Sequence, residues 1–357
     1  MSTALALSKR APKLSEADRI KGIADLGKTL EPVGVTDTVT IAVSASLYGV
    51  TGLLVLYALI HRNYRPIRAK NMPLTTVMYI ACIVWFLGDI ATNGLVYNVG
   101  VWSKCKLWVI WFRDLGGYLY SSIVLLRAHA LNRIFIQRKS FTGWAYYMPI
   151  VILAAALLIF CLTVQLISDE LTVSYLPKLE ICHYVEGFKW GSLALLWLVW
   201  FASLFYYIKI RHIQTAFNEF REALVVFFIA FTTLLETSLV HGIFPTYPLN
   251  RTLRTITTYV DVVCGNISVW VFLVYPVFKR IFYREKYEHE WLAKLARDGL
   301  QREYQIEMNR SANTSDFAKM GSGHQLTSLS SNDRTYATDY HITLDSNSEI
   351  ANFSSYR

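Results

Sequence analysis

The chain is short of the spacings that announce chemistry. Its five cysteines form no Cys-x-x-Cys pair and no His/Cys grouping of metal-ligand type, which excludes the common zinc and thiol-redox motifs. It holds no His-Glu-x-x-His, no nucleophile motif and no phosphate-binding glycine loop, so it does not read as an enzyme. Its last apolar run contains no lysine, which excludes a retinal Schiff base, and paired histidines for haem are missing as well. No cofactor and no metal are expected. Residues 1–37 contain no apolar core of signal-peptide type, so the first apolar run is expected to act as the insertion signal. No proline interrupts the middle of an apolar run.

Apolar length is what the chain has in quantity. The 357 residues are 54% hydrophobic and 14% aromatic, and charge is confined mostly to short stretches between long apolar ones. Seven apolar runs occur, at about 38–60, 72–95, 107–131, 144–167, 189–208, 223–244 and 253–275. A helix rises about 1.5 Å per residue, so runs of this length match a hydrocarbon core of roughly 30 Å. The pattern predicts an all-α membrane protein with a seven-transmembrane helix bundle at 38–275. An extracellular tail (1–37) would precede it. A cytoplasmic amphipathic helical segment (276–308) and a disordered Ser/Thr-rich tail (309–357) would follow.

Orientation comes from the connecting stretches. Arg62, Arg65, Arg68 and Lys70 follow the first run, and Arg133, Arg138 and Lys139 follow the third. Lys209, Arg211 and Arg221 follow the fifth; Lys279, Arg280, Arg284 and Lys286 follow the seventh. The opposite loops hold only Lys104 and Lys106, Lys178 and Lys189, and Arg251 and Arg254. The positive-inside rule then places the N-terminus outside and the C-terminus inside. The net charge of +9 is explained by an anionic membrane face rather than by nucleic acid. In the first tail, Lys9-Arg10 reads as a processing site or, more simply, as part of a solvated segment. Ser328, Ser330 and Ser331 of the last tail are candidate phosphorylation sites.

Three constellations carry candidate chemistry. Cys105 and Cys182 are the cysteines outside the apolar runs and fall on the same, outer side. A disulfide between them would pin the loop between the fourth and fifth runs over the bundle mouth; two free thiols are the alternative. Cys82, Cys161 and Cys264 lie inside apolar runs, as small hydrophobes. Next, Asp89, Arg113, Asp114, His241 and Asp261 fall in the outer half of the bundle, and Glu236 falls near its middle. Charged side chains in lipid are costly, so these six are expected either to line a ligand pocket open to the outside or to pair among themselves and hold helices together. Arg113 is placed to pair with a carboxylate. Third, the stretch KIRHIQTAFNEFRE (209–222) sets Arg211, Phe217, Glu219, Phe220 and Arg221 at helical spacing, facing a partner or solvent.

Three blocks resemble the seven-transmembrane regulator-of-G-protein-signalling family of plants and fungi. They are CKLWVIWFRDLGGYLYSSIVLLRAHALNRIFIQRK (105–139), ICHYVEGFKW (181–190) and IRHIQTAFNEFREAL (210–224). The Arg211-His212 pair followed by Phe217, Glu219 and Arg221 is the most specific match, and the resemblance covers roughly residues 40–275. In that family a cytoplasmic domain accelerates GTP hydrolysis on a heterotrimeric G-protein α subunit. Only 82 residues follow Tyr275 here, too few for an all-helical domain of about 100 residues or more, so that activity is not carried over. The resemblance implies a G-protein-coupled-receptor-like sensor in the plasma membrane that binds an extracellular small ligand. Contact with the G-protein α subunit would fall to Arg127, Arg133, Arg211, Phe217, Glu219 and Arg221. The alternatives are a small-solute (sugar or amino-acid) transporter of seven-helix type, against which the lack of an internal repeat stands, and a membrane scaffold whose tail recruits partners.

Overall fold

The computed structural model describes residues 16–24, 30–137, 144–176, 180–211 and 218–297. The Lys9-Arg10 pair, Arg138 and Lys139, and the tail 309–357 with its serines lie outside the described residues. The helices in chain order are α1 (Glu16–Ala24), α2 (Val35–Ile60), α3 (Arg65–Arg68), α4 (Met72–Thr92) and α5 (Leu115–Phe135). They are followed by α6 (Trp144–Leu166), α7 (Glu186–Ile210), α8 (Asn218–Ile243) and α9 (Arg251–Arg297). Six of them, α2, α4, α6, α7, α8 and α9, contain stretches long and apolar enough to cross a membrane. A short antiparallel hairpin, β1 (Val173–Leu176) and β2 (Ile181–Tyr184), joins α6 to α7.

Local sequence sets the helix ends. The backbone N–H of Gly34 donates to the Asp37 carboxylate at 2.8 Å, satisfying a donor at the start of α2. Asn71 holds a left-handed conformation (φ 51°), which asparagine tolerates better than most residues, and Pro73 follows in the first turn of α4. Ahead of α5 the chain is π-helical over Leu107–Asp114 and runs straight into the α-helix. π-turns are rare, and often mark functional sites. Here the turn carries Arg113 and Asp114.

The α4 helix and the Leu107–Phe135 segment approach more closely than ordinary side chains permit. A Cβ on Gly88 would stand 2.4 Å from the backbone nitrogen of Arg113, and a Cβ on Gly116 would stand 2.5 Å from that of Trp85. The two glycines are thus reciprocal notches, one on each helix. Burial orders the bundle around this contact. Of the apolar stretches of α4 and α9, 56% is buried, against 11% for α6, so α4 and α9 are central and α6 is peripheral.

The α9 helix differs from the expectation at both ends. It begins at Arg251, so Arg251 and Arg254 are helical rather than loop residues. Arg254 is 1% exposed because Asp37 neutralises it there. At the other end, Tyr283 leaves the helical region (φ −142°, ψ 42°). The Tyr287 ring nevertheless meets that of Tyr275, with centroids 5.6 Å apart. In a straight helix these positions would stand about 18 Å apart. The chain therefore turns back at Tyr283 and forms an elbow. Tyr64 donates to the Arg284 carbonyl at 3.0 Å, and Arg65 pairs with Glu288 at 3.5 Å, which ties the elbow to the segment between α2 and α4.

Candidate functional site

The hairpin is fixed before it shapes anything. Cys105 and Cys182 form a disulfide, with Cα atoms 5.4 Å apart. Cys182 pairs with Tyr175 across the hairpin, and the Tyr175 hydroxyl donates to the Asn98 carbonyl at 2.8 Å. The hairpin is thereby held to the start of the Leu107–Phe135 segment and to the chain leaving α4.

Beneath it lies the guanidinium of Arg113, 6% exposed. Such a group carries five N–H donors and needs acceptors for them. Nη1 reaches Thr92 Oγ1 (2.8 Å), Asn93 Oδ1 (2.8 Å) and the Tyr247 hydroxyl (2.9 Å). Nε stands 3.4 Å from Asp89 Oδ1, and Nη2 stands 3.4 Å from His241 Nε2. Tyr247 donates in turn to Asn93, and Asn93 donates to Thr258 of α9 at 3.0 Å. Asp114 points the other way, towards α7, where Ser192 Oγ lies 3.5 Å from its carboxylate. One turn inward from the Asn93–Thr258 bond, Asp89 of α4, Glu236 of α8 and Asp261 of α9 are near enough to interact electrostatically. Among the described residues no hydrogen bond reaches the buried Asp261 carboxylate. The structure thus brings all six sequence-derived site residues into one region around Arg113 and Asp114.

Two tyrosines outside the membrane-crossing helices complete the wall. Burial pushes the Tyr247 phenol up to about 12, against the pull of the Arg113 charge, so it stays a neutral donor and acceptor. Burial likewise raises Tyr184. Thr92, Asn93, Tyr184, Lys189, Ser192 and Tyr247 are the site residues that the sequence reading passed over. Neutral polar side chains are unremarkable in apolar runs. Counting the donors of a buried arginine was the one signal that called for such partners.

Two cavities meet at this place. The outer one, about 350 Å³, lies between the hairpin, the end of α4 and the turn at Pro245–Leu249. The inner one, about 70 Å³, reaches Arg113, Asp114 and Trp85. Tyr184, Lys189 and His241 line both. Small-molecule sites usually occupy clefts of about 300–1,000 Å³. The cations here already have partners, Lys189 with Glu186 at 2.7 Å and Arg113 with Asp89. No group of three or more His, Cys, Asp or Glu side chains among the described residues is placed to hold a metal ion.

At the opposite end, Lys70 and Glu222 form an ion pair at 2.6 Å with both side chains largely covered. Arg127 bonds to the Lys70 carbonyl and to Thr75 Oγ1, and its guanidinium lies over the Phe272 ring at 3.9 Å. Arg127 is therefore turned inward, 9% exposed. Arg133 is half-buried, and Arg211 and Arg221 are exposed. Phe217 lies outside the described residues, and Glu219 is described only as part of the α8 backbone. Between the two ends lie further polar contacts: Tyr120 bonds to Ser268 at 2.8 Å, Thr51 to Asn266, and Trp270 to Thr51 at 2.8 Å.

Long apolar helices, packed around buried charges and topped by a disulfide-pinned hairpin, define a multi-pass membrane protein. The family model described as "7 transmembrane sweet-taste receptor of 3 GCPR" matches residues 34–278, more than half of the chain, and the chain belongs to that receptor-like family. No curated protein matches it.

Proposed function

We propose that the chain is a G-protein-coupled-receptor-like sensor of the plasma membrane. In this reading the π- and α-helical segment Leu107–Phe135 also crosses the membrane, as the third of seven spans in chain order, with the N-terminus outside and the C-terminus in the cytoplasm. The single observation that carries it is the cavity of about 350 Å³ under the disulfide-pinned hairpin, which shares Tyr184, Lys189 and His241 with the smaller cavity at Arg113. A small extracellular ligand enters there and engages the cluster of Asp89, Arg113, Asp114, Glu236, His241 and Asp261. A ligand acts by binding one helix arrangement more tightly than another, and a network of buried polar groups has discrete arrangements to choose between. At the far end, release of the Lys70–Glu222 pair uncovers Arg127. With Arg133, Arg211, Phe217, Glu219 and Arg221 it then meets a heterotrimeric G-protein α subunit, in keeping with the resemblance to the seven-transmembrane regulator-of-G-protein-signalling family.

The test is guanine-nucleotide exchange on an α subunit reconstituted with the full chain, screened against small polar solutes. An active solute should accelerate exchange, and Arg113→Gln should abolish the response while the Cys105–Cys182 bond still forms. Failure of every α subunit to bind the chain would remove the signalling half of this reading. The carrier alternative draws no support from the family match. Uptake of a solute into proteoliposomes would revive it.

A further inference from the structure

The elbow of α9 is a feature that the sensor reading leaves unused. Phe278, Ile281, Phe282 and Tyr283 are 50%, 55%, 63% and 52% exposed; the first three, at i, i+3 and i+4, form one ridge on a strongly charged stretch, and Tyr283 stands at its end. The lipid-facing stripe of the helix, with Val274 and Tyr275 exposed one turn earlier, thus continues to the point where the chain turns back. Beside the ridge stand cations. Lys279 Nζ lies between two rings, 5.7 Å from the Tyr275 centroid and 5.0 Å from that of Tyr283. Arg284 and Lys286 are exposed just beyond the turn. Arg280 is occupied otherwise, bonding the Tyr57 hydroxyl at 3.0 Å and lying over the Tyr57 and Tyr64 rings. The acids of the elbow are Glu285 and Glu290, exposed, and Glu288, paired with Arg65.

We propose that this elbow binds anionic phospholipid, with Lys279, Arg284 and Lys286 on the headgroup and Phe278, Ile281 and Phe282 against the upper acyl chains. Three observations select this occupant. The ridge is continuous with a face that lipid already covers in a multi-pass protein. Lys279, Arg284 and Lys286 stand together at the rim of that ridge. Tyrosine rings flank them, and such rings favour the membrane–water boundary. A lysine held between two aromatic rings keeps its stem along apolar surface and its ammonium at the headgroup level. Basic residues near an anionic surface contribute about 1 kcal/mol each, about fivefold in affinity. The proposal does not depend on the sensor reading, and a bilayer of the same composition in both leaflets makes its test independent of orientation.

The experiment places the full-length chain in nanodiscs of phosphatidylcholine mixed with phosphatidylserine and counts retained lipids by native mass spectrometry. Phosphatidylserine should be retained over phosphatidylcholine. Lys279→Gln, Arg284→Gln and Lys286→Gln should each lower that preference about fivefold, and high salt should weaken it. Phe282→Ser should shorten retention of both lipids without removing the preference. Non-reducing gels report whether each variant keeps its disulfide, and so whether it folded. Equal retention of the two lipids by the parent chain would overturn the proposal, as would an unchanged preference in a folded triple variant. Displacement of the lipid by inorganic phosphate would overturn it too, by showing a site for a free anion rather than for a lipid.

Discussion

Asp37 and Arg254 form a fully buried ion pair, with Arg254 Nε 2.7 Å from one carboxylate oxygen and Nη2 2.6 Å from the other, although 217 residues separate them. The remaining Arg254 donors go to the carbonyls of Glu31, Pro32 and Pro248. One side chain thus fastens the start of α2, the segment before it and the turn beside the outer cavity to the start of α9. Two-pronged pairing of this kind is among the stronger charge-assisted contacts.

Removing one partner should leave an uncompensated buried charge. Arg254→Ala or Asp37→Asn is expected to destabilise the protein by about 3–5 kcal/mol. The thermal unfolding of the detergent-purified chain checks this. A double variant, Asp37→Leu with Arg254→Met, should recover much of the loss, because it leaves no charge to desolvate.

The glycine notches give a prediction of a different kind. Gly88→Ala and Gly116→Ala put a methyl group against backbone atoms, which cannot swing aside as a side chain tip can. Each should cost about 1–3 kcal/mol and displace Arg113 from Asn93 and Asp89, so any ligand response should fall as well. Gly191→Ala, inside α7 where a Cβ would meet nothing within 4 Å, should leave the response unchanged and stability unchanged or slightly raised.

In the sensor reading proposed above, the Lys70–Glu222 pair, 2.6 Å apart, is the contact that holds the far end closed. Glu222→Gln should raise ligand-independent nucleotide exchange on the partner α subunit, because it removes a contact made only in the closed form. The exchanged pair, Lys70→Glu with Glu222→Lys, should return exchange towards the parent level. An unchanged basal rate in a folded Glu222→Gln variant would exclude the pair as a closing contact.

The disulfide bridges residues 77 apart in sequence. Cys182→Ser should therefore lower stability by about 2–4 kcal/mol, mainly by loosening the unfolded chain's constraint. Peptide mapping under non-reducing conditions should find Cys105 joined to Cys182, with Cys82, Cys161 and Cys264 as free thiols.

Much of this was legible in the sequence, and the reason is specific in each case. Cys105 and Cys182 stood out because every other cysteine sits in an apolar run. Asp89, Arg113, Asp114, Glu236, His241 and Asp261 stood out because charge is rare at that depth. Thr92, Asn93 and Ser192 did not, because a hydroxyl or amide in an apolar run is ordinary until an arginine is found beside it, and Tyr247 did not, because a tyrosine in a connecting turn is ordinary too. Arg127 shows the reverse. A basic residue near the end of a span reads as a surface contact, yet the Phe272 ring, Thr75 and the Lys70 carbonyl draw it inward. Arg254 was misread for a related reason, since a charge at a span edge is taken for a loop charge unless its distant partner is known.

The sequence by itself determined that the chain lives in a membrane, how long its helices are and which ends are basic. Bilayer thickness and the cost of charge in lipid act on each segment separately, so they leave their mark segment by segment. Only the tertiary structure decided which faces meet. Helix rotation is set by packing, so the Gly88–Arg113 notch, the pairing of Asp37 with Arg254 and the turning of Arg113 towards α4 but Asp114 towards α7 follow from contacts between segments far apart in the chain. The elbow at Tyr283 belongs with them. Its residues form an unbroken helical pattern, and the turn back is held by contacts distant in sequence, Tyr64 with Arg284 and Arg65 with Glu288, together with Tyr287 on Tyr275.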